Sequence, residues 1–423
     1  MKISIFTPSN NLQHFDRPFQ SLVNQTFKDF EWIILLNGEV LKDKALRHHW
    51  HKKLESSELK FKIIEEKEET KSIGKLKKKC CDEASGEILV ELDHDDALTP
   101  DCLAEVSKAF ESEECDFCYS DDYAIDQNGK YITPFGSQYG WTIKEDIHGN
   151  KYHPSPEPSA LTFSYIWYAP DHVRAWRKSF YQIINGHDES LEVCDDYDLL
   201  CRTYINGKVH KIDKPLYEYY HHDSNTSKNE RNEEIQTLTH DLHDKYMLDL
   251  AAKWSELNNL KKVDLCSCNN KPLGFIGVDK RKLNEEDVEY DLDKPDWPFK
   301  DGSVGVFRLQ DALEHMKDPV NTMKEMYRCL ADFGWVIIEV PSTDGRGAFQ
   351  DPTHVSFWNS NSFWYYTKAE VAHFIGTPVK FQMNRIANHF PSDFHKFHNI
   401  VYTKAHLVKL PDNNFIPMHG RQI

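Results

Sequence analysis

The segment Ile88–Pro100 reads ILVELDHDDALTP, an apolar run that ends abruptly in Asp93, His94, Asp95 and Asp96. Carboxylates held this close repel one another and lose hydration, so a fold tolerates the cluster where a cation neutralises it. Hard divalent ions take oxygen ligands and keep open positions that diphosphate oxygens can complete. The same letters also suit a helix start, with Asp96 or Thr99 capping a helix that begins near Pro100. That alternative accounts for one of the acids, or two.

The elements that position this cluster are short. Ile3–Thr7, Trp32–Leu36, Lys60–Ile64 and Ile88–Leu92 read as strands, with helical patterns between them, notably at Phe19–Asn24 and Lys75–Ala84. Strand and helix in alternation predict an α/β sheet, largely parallel, with its ligand at the carboxyl ends of the strands. From Lys228 to Leu257 the chain turns polar and helix-prone, and Ile235, Leu238, Leu242, Met247 and Leu250 roughly follow a helical period. A second alternation then supplies strands at Val263–Leu265, Phe275–Val278, Val304–Phe307 and Trp335–Val340. The expected organisation is two α/β domains, residues 1–227 and 259–423, joined by a helical linker over 228–258.

Bulk properties narrow the partners. A chain of 423 residues exceeds one ordinary core, and 39% hydrophobic residues suffice to bury two. A net charge of −17 disfavours binding to nucleic acid or anionic lipid. The run Lys75–Lys79 (KLKKK) is either a local basic patch or a solvated helix face. MKISIFTP is a short alternating strand without a signal peptide's apolar core, and no apolar stretch is long enough to span a membrane. The expectation is a cytoplasmic protein with reduced thiols, since Cys80-Cys81 and Cys266-Ser267-Cys268 lack the paired spacing of a zinc site.

Several separated segments carry a resemblance. SIFTPSNN, SLVNQTFKDFEWIILLNG, the stretch Ser72–Asp96, NGHDESLEVCDDYDLL and LYEYYHHDSNTS occur in the order found in family 2 glycosyltransferases with the GT-A fold. The chain resembles that family over about its first 227 residues. The resemblance implies transfer of a sugar from a nucleoside diphosphate sugar to a glycan or other hydroxyl acceptor, with inversion. Asp93 and Asp95 would hold Mn²⁺ or Mg²⁺ against the diphosphate. Asp196 is implied as general base, with Asp195 the next choice; both equally suit a helix start, where acids meet the helix dipole. Thr7, Pro8 and Ser9 are implied to line the base and ribose, and Asp93 also faces the donor. Asn37 stands where many relatives carry an aspartate that recognises uracil, and Lys78 near a basic residue aimed at the diphosphate. His222 matches the family's closing histidine, which touches metal or diphosphate; a lone surface histidine is the open alternative. Trp141 and Trp167 suit either a sugar platform or the interior.

The second half carries another. VDLCSCNNKPLGFIGVD at Val263–Asp279 is similar to class I S-adenosylmethionine-dependent methyltransferases, which have a Rossmann-like fold. Asp291-Leu292, WPFKDGSVGV, LEHMKDP, EMYRCLADFG and DPTH continue the match to about residue 365. The resemblance implies that Asp264, Asp279 and Asp291 face the cofactor, with Asp279 on the ribose hydroxyls. Cys266 and Cys268 replace glycines, and a side chain there is expected to crowd the ligand or forbid a positive φ. Glu314 and His315 suit either a polar site or helix-start and packing roles. The leading reading is therefore a glycosyltransferase carrying a degenerate methyltransferase-like domain. The alternatives are a sugar methyltransferase whose N-terminal half is a binding module, and a non-catalytic scaffold.

Overall fold

The computed structural model describes residues 1–68, 70–112, 114–134, 142–164, 170–222, 231–377 and 379–411. Trp141 and Trp167 lie outside the described residues. The chain divides into two compact units, with the cut between Leu250 and Ala251. It falls inside the helix Asn232–Leu257, which contains the expected helical period and buries Ile235, Leu242, Met247 and Leu250.

The first unit is built on β1 (Ile3–Ser9), β2 (Phe30–Asn37), β3 (Phe61–Glu66), β4 (Ile88–Glu91), β5 (Ala97–Leu98), β6 (Phe117–Ile125), β7 (Tyr131–Ile132), β8 (Lys144–Glu145), β9 (Lys151–Tyr152), β10 (Arg174–Arg177) and β11 (Val209–Tyr220). Its helices are α1 (Asp16–Val23), α2 (Lys44–Glu55), α3 (Ile73–Glu83), α4 (Cys102–Ser112), α5 (Ala160–Phe163), α6 (Lys178–Ile183), α7 (Asp195–Asn206) and α8, the boundary helix. The main sheet runs β3-β2-β1-β4-β10-β6-β11-β5. β1 to β4 are mutually parallel, as expected, but β10 enters antiparallel between β4 and β6, so the sheet is mixed. Nothing in the short run RAWR announces that insertion.

β1 and β2 are buried on both faces because helices cover both. Ile3, Ile5, Trp32, Ile34 and Leu36 share one core with Phe15, Leu22, Trp50, Val106 and Phe110. On the opposite face, α3 packs across β1 and β2. The close approach of α3 to α7 needs Gly74, where a Cβ would stand 2.6 Å from the Asp188 carbonyl oxygen and 3.0 Å from the Asp195 Cβ. Gly86 is the matching close contact before β4, against the backbone of β1.

The second unit contains β12 (Lys261–Leu265), β13 (Ile276–Asp279), β14 (Val288–Glu289), β15 (Val304–Gln310), β16 (Leu330–Pro341), β17 (Phe381–His389) and β18 (Tyr402–Lys409), with α9 (Pro319–Cys329) crossing between β15 and β16. The order is β14-β13-β12-β15-β16-β18-β17, parallel through β16 and antiparallel at β18. Its core gathers Val263, Leu265, Phe307, Leu309, Val336 and Ile338 with Met323 and Met326 of α9. Among the described residues no helix is long and apolar enough to cross a membrane.

Candidate active site

In an open parallel sheet, ligands bind beyond the carboxyl ends of the strands where strand order reverses. In the first unit that reversal lies between β1 and β4. The turn Thr7-Pro8-Ser9 leaves β1, and Asp93 to Asp96 leave β4, on either side of it. Thr7 is fully buried; its hydroxyl donates to the Leu92 carbonyl at 2.7 Å and accepts from Trp32 Nε1 at 2.9 Å. It clamps the strand that carries the acids. Ser9 is also buried and donates to the Asn11 carbonyl at 2.6 Å, leaving Pro8 as the partly exposed member of the turn. Asn37 ends β2, partly exposed, in register with Glu66 of β3.

The acids divide into roles. Asp96 is buried, accepts from the Tyr217 hydroxyl at 2.9 Å and from the Tyr220 amide at 2.8 Å, and so ties the loop to β11. It caps no helix: α4 starts at Cys102, where Thr99 bonds Asp101 instead, so the capping alternative for Asp96 does not hold. Asp95 Oδ2 lies 2.8 Å from His222 Nε2, and Arg17 donates to the Asp95 carbonyl at 2.8 Å. Asp93 retains 35% of its side-chain exposure and lies 4.0 Å from His172 Nε2. Burial pushes the Asp93 carboxyl up to about 7; Lys77 works against that, and Glu91 and Asp95 add to it.

Beneath these acids lies a buried ion cluster that the sequence did not reveal. Glu91, the last residue of β4 and 1% exposed, has Lys77 Nζ at 2.6 Å and Arg174 Nη1 at 3.8 Å. Burial opposes its ionisation, but Lys77 and Arg174 together hold it well below the usual carboxylate range. Lys77 also lies 3.6 Å from Asp195 Oδ2, and Arg174 donates to Asp196 Oδ2 at 3.2 Å. α7 begins at Asp195, as a helix start would require, yet its two acids differ. Asp195 is buried, and burial pushes its carboxyl up to about 6 against the pull of Lys77. Asp196 keeps 28% side-chain exposure; burial opposes ionisation there too, but Arg174 and then Lys77 hold it below the ordinary aspartate range.

His187 completes the floor. Gly186 sits at φ 57° with Tyr181 so close that a Cβ would fall 2.5 Å from the ring. The turn aims His187 at the Tyr181 hydroxyl (2.8 Å) and at Asp195 (3.8 Å), and burial pushes the imidazole down to about 3. The lysine run is thus split by its helix: Lys77 points into the cluster, while Lys78 pairs outward with Glu189 at 3.5 Å and Lys79 with Glu66 at 2.7 Å.

Residues 5–164 match the family described as Glycosyl transferase family 2, and residues 249–338 match one described as Methyltransferase domain. The chain carries a family 2 glycosyl transferase domain followed by a methyltransferase domain. The chondroitin synthase of Escherichia coli is 26% identical over 230 residues, which are 53% of this chain and 30% of that protein. The chain thus spans under a third of that relative's length. Among solved structures, S. aureus TarS 1-349 with UDP is similar at 18% identity and TM-score 0.43, over 62% of this chain and 72% of that one. The complex of the same protein with UDP-GlcNAc gives 16% and 0.45 over 60% and 71%. The mannosyltransferase PcManGT from Pyrobaculum calidifontis, with GDP-Man and Mn²⁺, gives 13% and 0.37 over 60% and 63%. Asp195, Asp196 and His222 lie beyond the segment matched to the glycosyl transferase family.

In the methyltransferase domain the strand order reverses between β12 and β15. Asp264 is buried and taken up by Arg308, whose Nη1 lies 2.9 Å from one carboxylate oxygen and 3.1 Å from the other. Asp279 ends β13 partly exposed, with the Cys268 thiol 3.8 Å from its carboxylate. Asp291 faces Lys280 at 3.3 Å. The cysteines correct one expectation: Cys266 and Cys268 do adopt positive φ, at 54° and 41°. The loop therefore keeps a glycine-like path at a strain cost of roughly 1–2 kcal/mol per residue. Cys266 packs against the domain core, whereas Cys268 is exposed.

Proposed function

We propose that the glycosyl transferase domain moves a sugar from a nucleoside diphosphate donor to a hydroxyl acceptor, with inversion. The observation that carries this reading is Asp196: kept ionised by Arg174 and partly exposed, at the start of a helix tied through Lys77 and Glu91 to the strand bearing Asp93. An ionised, accessible carboxylate is what a general base requires. The acceptor oxygen attacks the anomeric carbon, the bond from that carbon to the diphosphate oxygen breaks, and the hydroxyl proton passes to Asp196. Asp195, buried and favouring protonation more than its neighbour, positions the helix start.

Asp93 and Asp95 would be the oxygen ligands of a divalent cation at that strand end. His222 lies beside Asp95, Asp93 keeps 35% of its side-chain exposure, and carboxylates outnumber cations in the cluster. Bound there, Mn²⁺ or Mg²⁺ would stabilise the departing diphosphate. Pro8 and Asn37 border the crevice where the nucleoside would lie, and an amide at Asn37 both donates and accepts hydrogen bonds. The relative named chondroitin synthase makes a glycan acceptor the first class to try.

A second activity is favoured by the cysteine loop: Cys266 and Cys268 adopt the positive φ of the glycines they replace, which supports binding of S-adenosylmethionine by the methyltransferase domain, where Asp279 would take the ribose. Thermal stabilisation of the full chain and of Asp95→Asn by UDP- and GDP-sugars, with Mn²⁺ or with chelator, tests the first reading; S-adenosylmethionine tests the second. Metal-dependent stabilisation of the wild type alone by one nucleotide supports transfer and names the donor. No shift with any nucleotide sugar sinks it.

A further inference from the structure

The short 3-10 turn Leu313–His315 follows β15 at the carboxyl edge of the second sheet. Its Glu314 is 2% exposed, and neither carboxylate oxygen has a hydrogen-bond donor among the described residues. A buried carboxylate without such donors is costly enough to demand an explanation. The backbone around it is fixed: the Glu314 carbonyl accepts the amides of Val355 and Ser356 at 2.8 and 3.0 Å, which seats the Asp351–Ser356 loop against the turn. That seating brings His354 to the carboxylate, Nε2 to Oε1 at 3.9 Å, with its ring 5.1 Å from that of His315.

The histidines are oriented as ligands are. His354 Nδ1 lies 2.9 Å from the Ala348 carbonyl oxygen, so that nitrogen donates, and in the neutral ring Nε2 is the atom left to act as a ligand on the side facing Glu314. His315 Nδ1 contacts the Thr353 carbonyl at 3.3 Å. One ligand atom from each of Glu314, His315 and His354 lies within 4.8 Å of the others.

We infer that Glu314, His315 and His354 form a divalent-metal site in the methyltransferase domain, of the two-histidine, one-carboxylate kind that suits Zn²⁺ or a neighbouring first-row ion. Imidazole ligands separate it chemically from the oxygen-rich Asp93–Asp95 cluster, which favours Mn²⁺ or Mg²⁺. Three protein ligands leave coordination positions for a hydroxyl or carboxylate of a bound molecule. Exposed Phe349 and Phe357, stacked at 5.3 Å, stand next to the loop and offer a sugar face somewhere to rest. The ligand class is therefore a hydroxylated acceptor held beside the crevice of the methyltransferase domain.

The test is titration of the chelator-stripped full chain with Co²⁺, read by visible absorption, and with Zn²⁺ against a chromophoric chelator. The expected result is a nitrogen-ligated Co²⁺ spectrum in the wild type and in Asp95→Asn. Glu314→Gln and His315→Ala should each weaken binding by at least about tenfold. His315 is partly exposed, so His315→Ala decides the matter should Glu314→Gln fail to fold. Absence of a bound-metal spectrum in the folded wild type, or an affinity unchanged in His315→Ala, overturns the site and leaves Glu314 as a neutral buried acid.

Discussion

Arg174 donates from Nη1 to Asp196 Oδ2 across 3.2 Å, while the adjacent Asp195 turns to Lys77 at 3.6 Å. Consecutive aspartates at one helix start are thereby set to different protonation behaviour. Asp196→Asn should lower kcat by about 10²- to 10⁴-fold with donor affinity little changed. Steady-state kinetics with the donor varied checks this. A large rise in the donor KM with kcat intact would place Asp196 in binding instead.

Arg174 should set the pH profile. It holds Asp196 below its ordinary range, so Arg174→Met should let that carboxyl rise and move the acidic limb of the kcat–pH curve to higher pH. An unmoved limb, with kcat merely scaled down, would show that Arg174 acts only structurally.

Lys77 and Lys78 are neighbours with opposite consequences. Lys77→Met removes the buried cation nearest to both Glu91 and Asp195, leaving Glu91 only the longer contact with Arg174, and should cost about 3–5 kcal/mol. Lys78→Met removes a surface pair and should stay within about 0.5 kcal/mol. Denaturant unfolding of both variants measures the contrast, and equal effects would refute the split.

Asp93 carries a testable sign. Its folded carboxyl is raised to about 7 from an unfolded value near 4, so between those values the folded state holds more proton than the unfolded one. Its contribution to stability is fully present below about 4 and is lost as pH climbs toward 7. Without divalent cations, wild type minus Asp93→Asn should show stability falling over that window. Mn²⁺ binding should strengthen over the same range, since metal and proton compete for the carboxylate. A flat difference curve would contradict both.

Cys268→Gly should be neutral or stabilising by up to about 1 kcal/mol, because glycine takes φ 41° without strain and the exposed thiol gives up only a long contact with the Asp279 carboxylate. Cys266→Gly gives up core packing and should stabilise less or destabilise. Paired melts, each repeated with S-adenosylmethionine, check the order.

Much of the fold is legible in the order of the amino acids. The alternating strands, the acids at the end of Ile88–Glu91 and the ordered segments that resemble two families are local features, readable because periodicity and motif order live within short stretches of chain. The antiparallel insertion of Arg174–Arg177 is not legible, since four residues carry no period and their partners, Phe117 and Val90, are distant in sequence. Charge runs are ambiguous for a similar reason. KLKKK reads equally as a solvated face until α3 is seen pressed on α7 through Gly74, which turns one lysine of the run inward.

The sequence by itself determined the two α/β units and which residue types end their strands, because these follow from composition and spacing along the chain. Only the tertiary structure decided which charges meet. Asp95 finds His222, Glu91 finds Lys77 and Arg174, and Glu314 finds His354 across loops of many residues. The protonation of each acid depends on those through-space neighbours and on burial, and neither is written in the order of the residues.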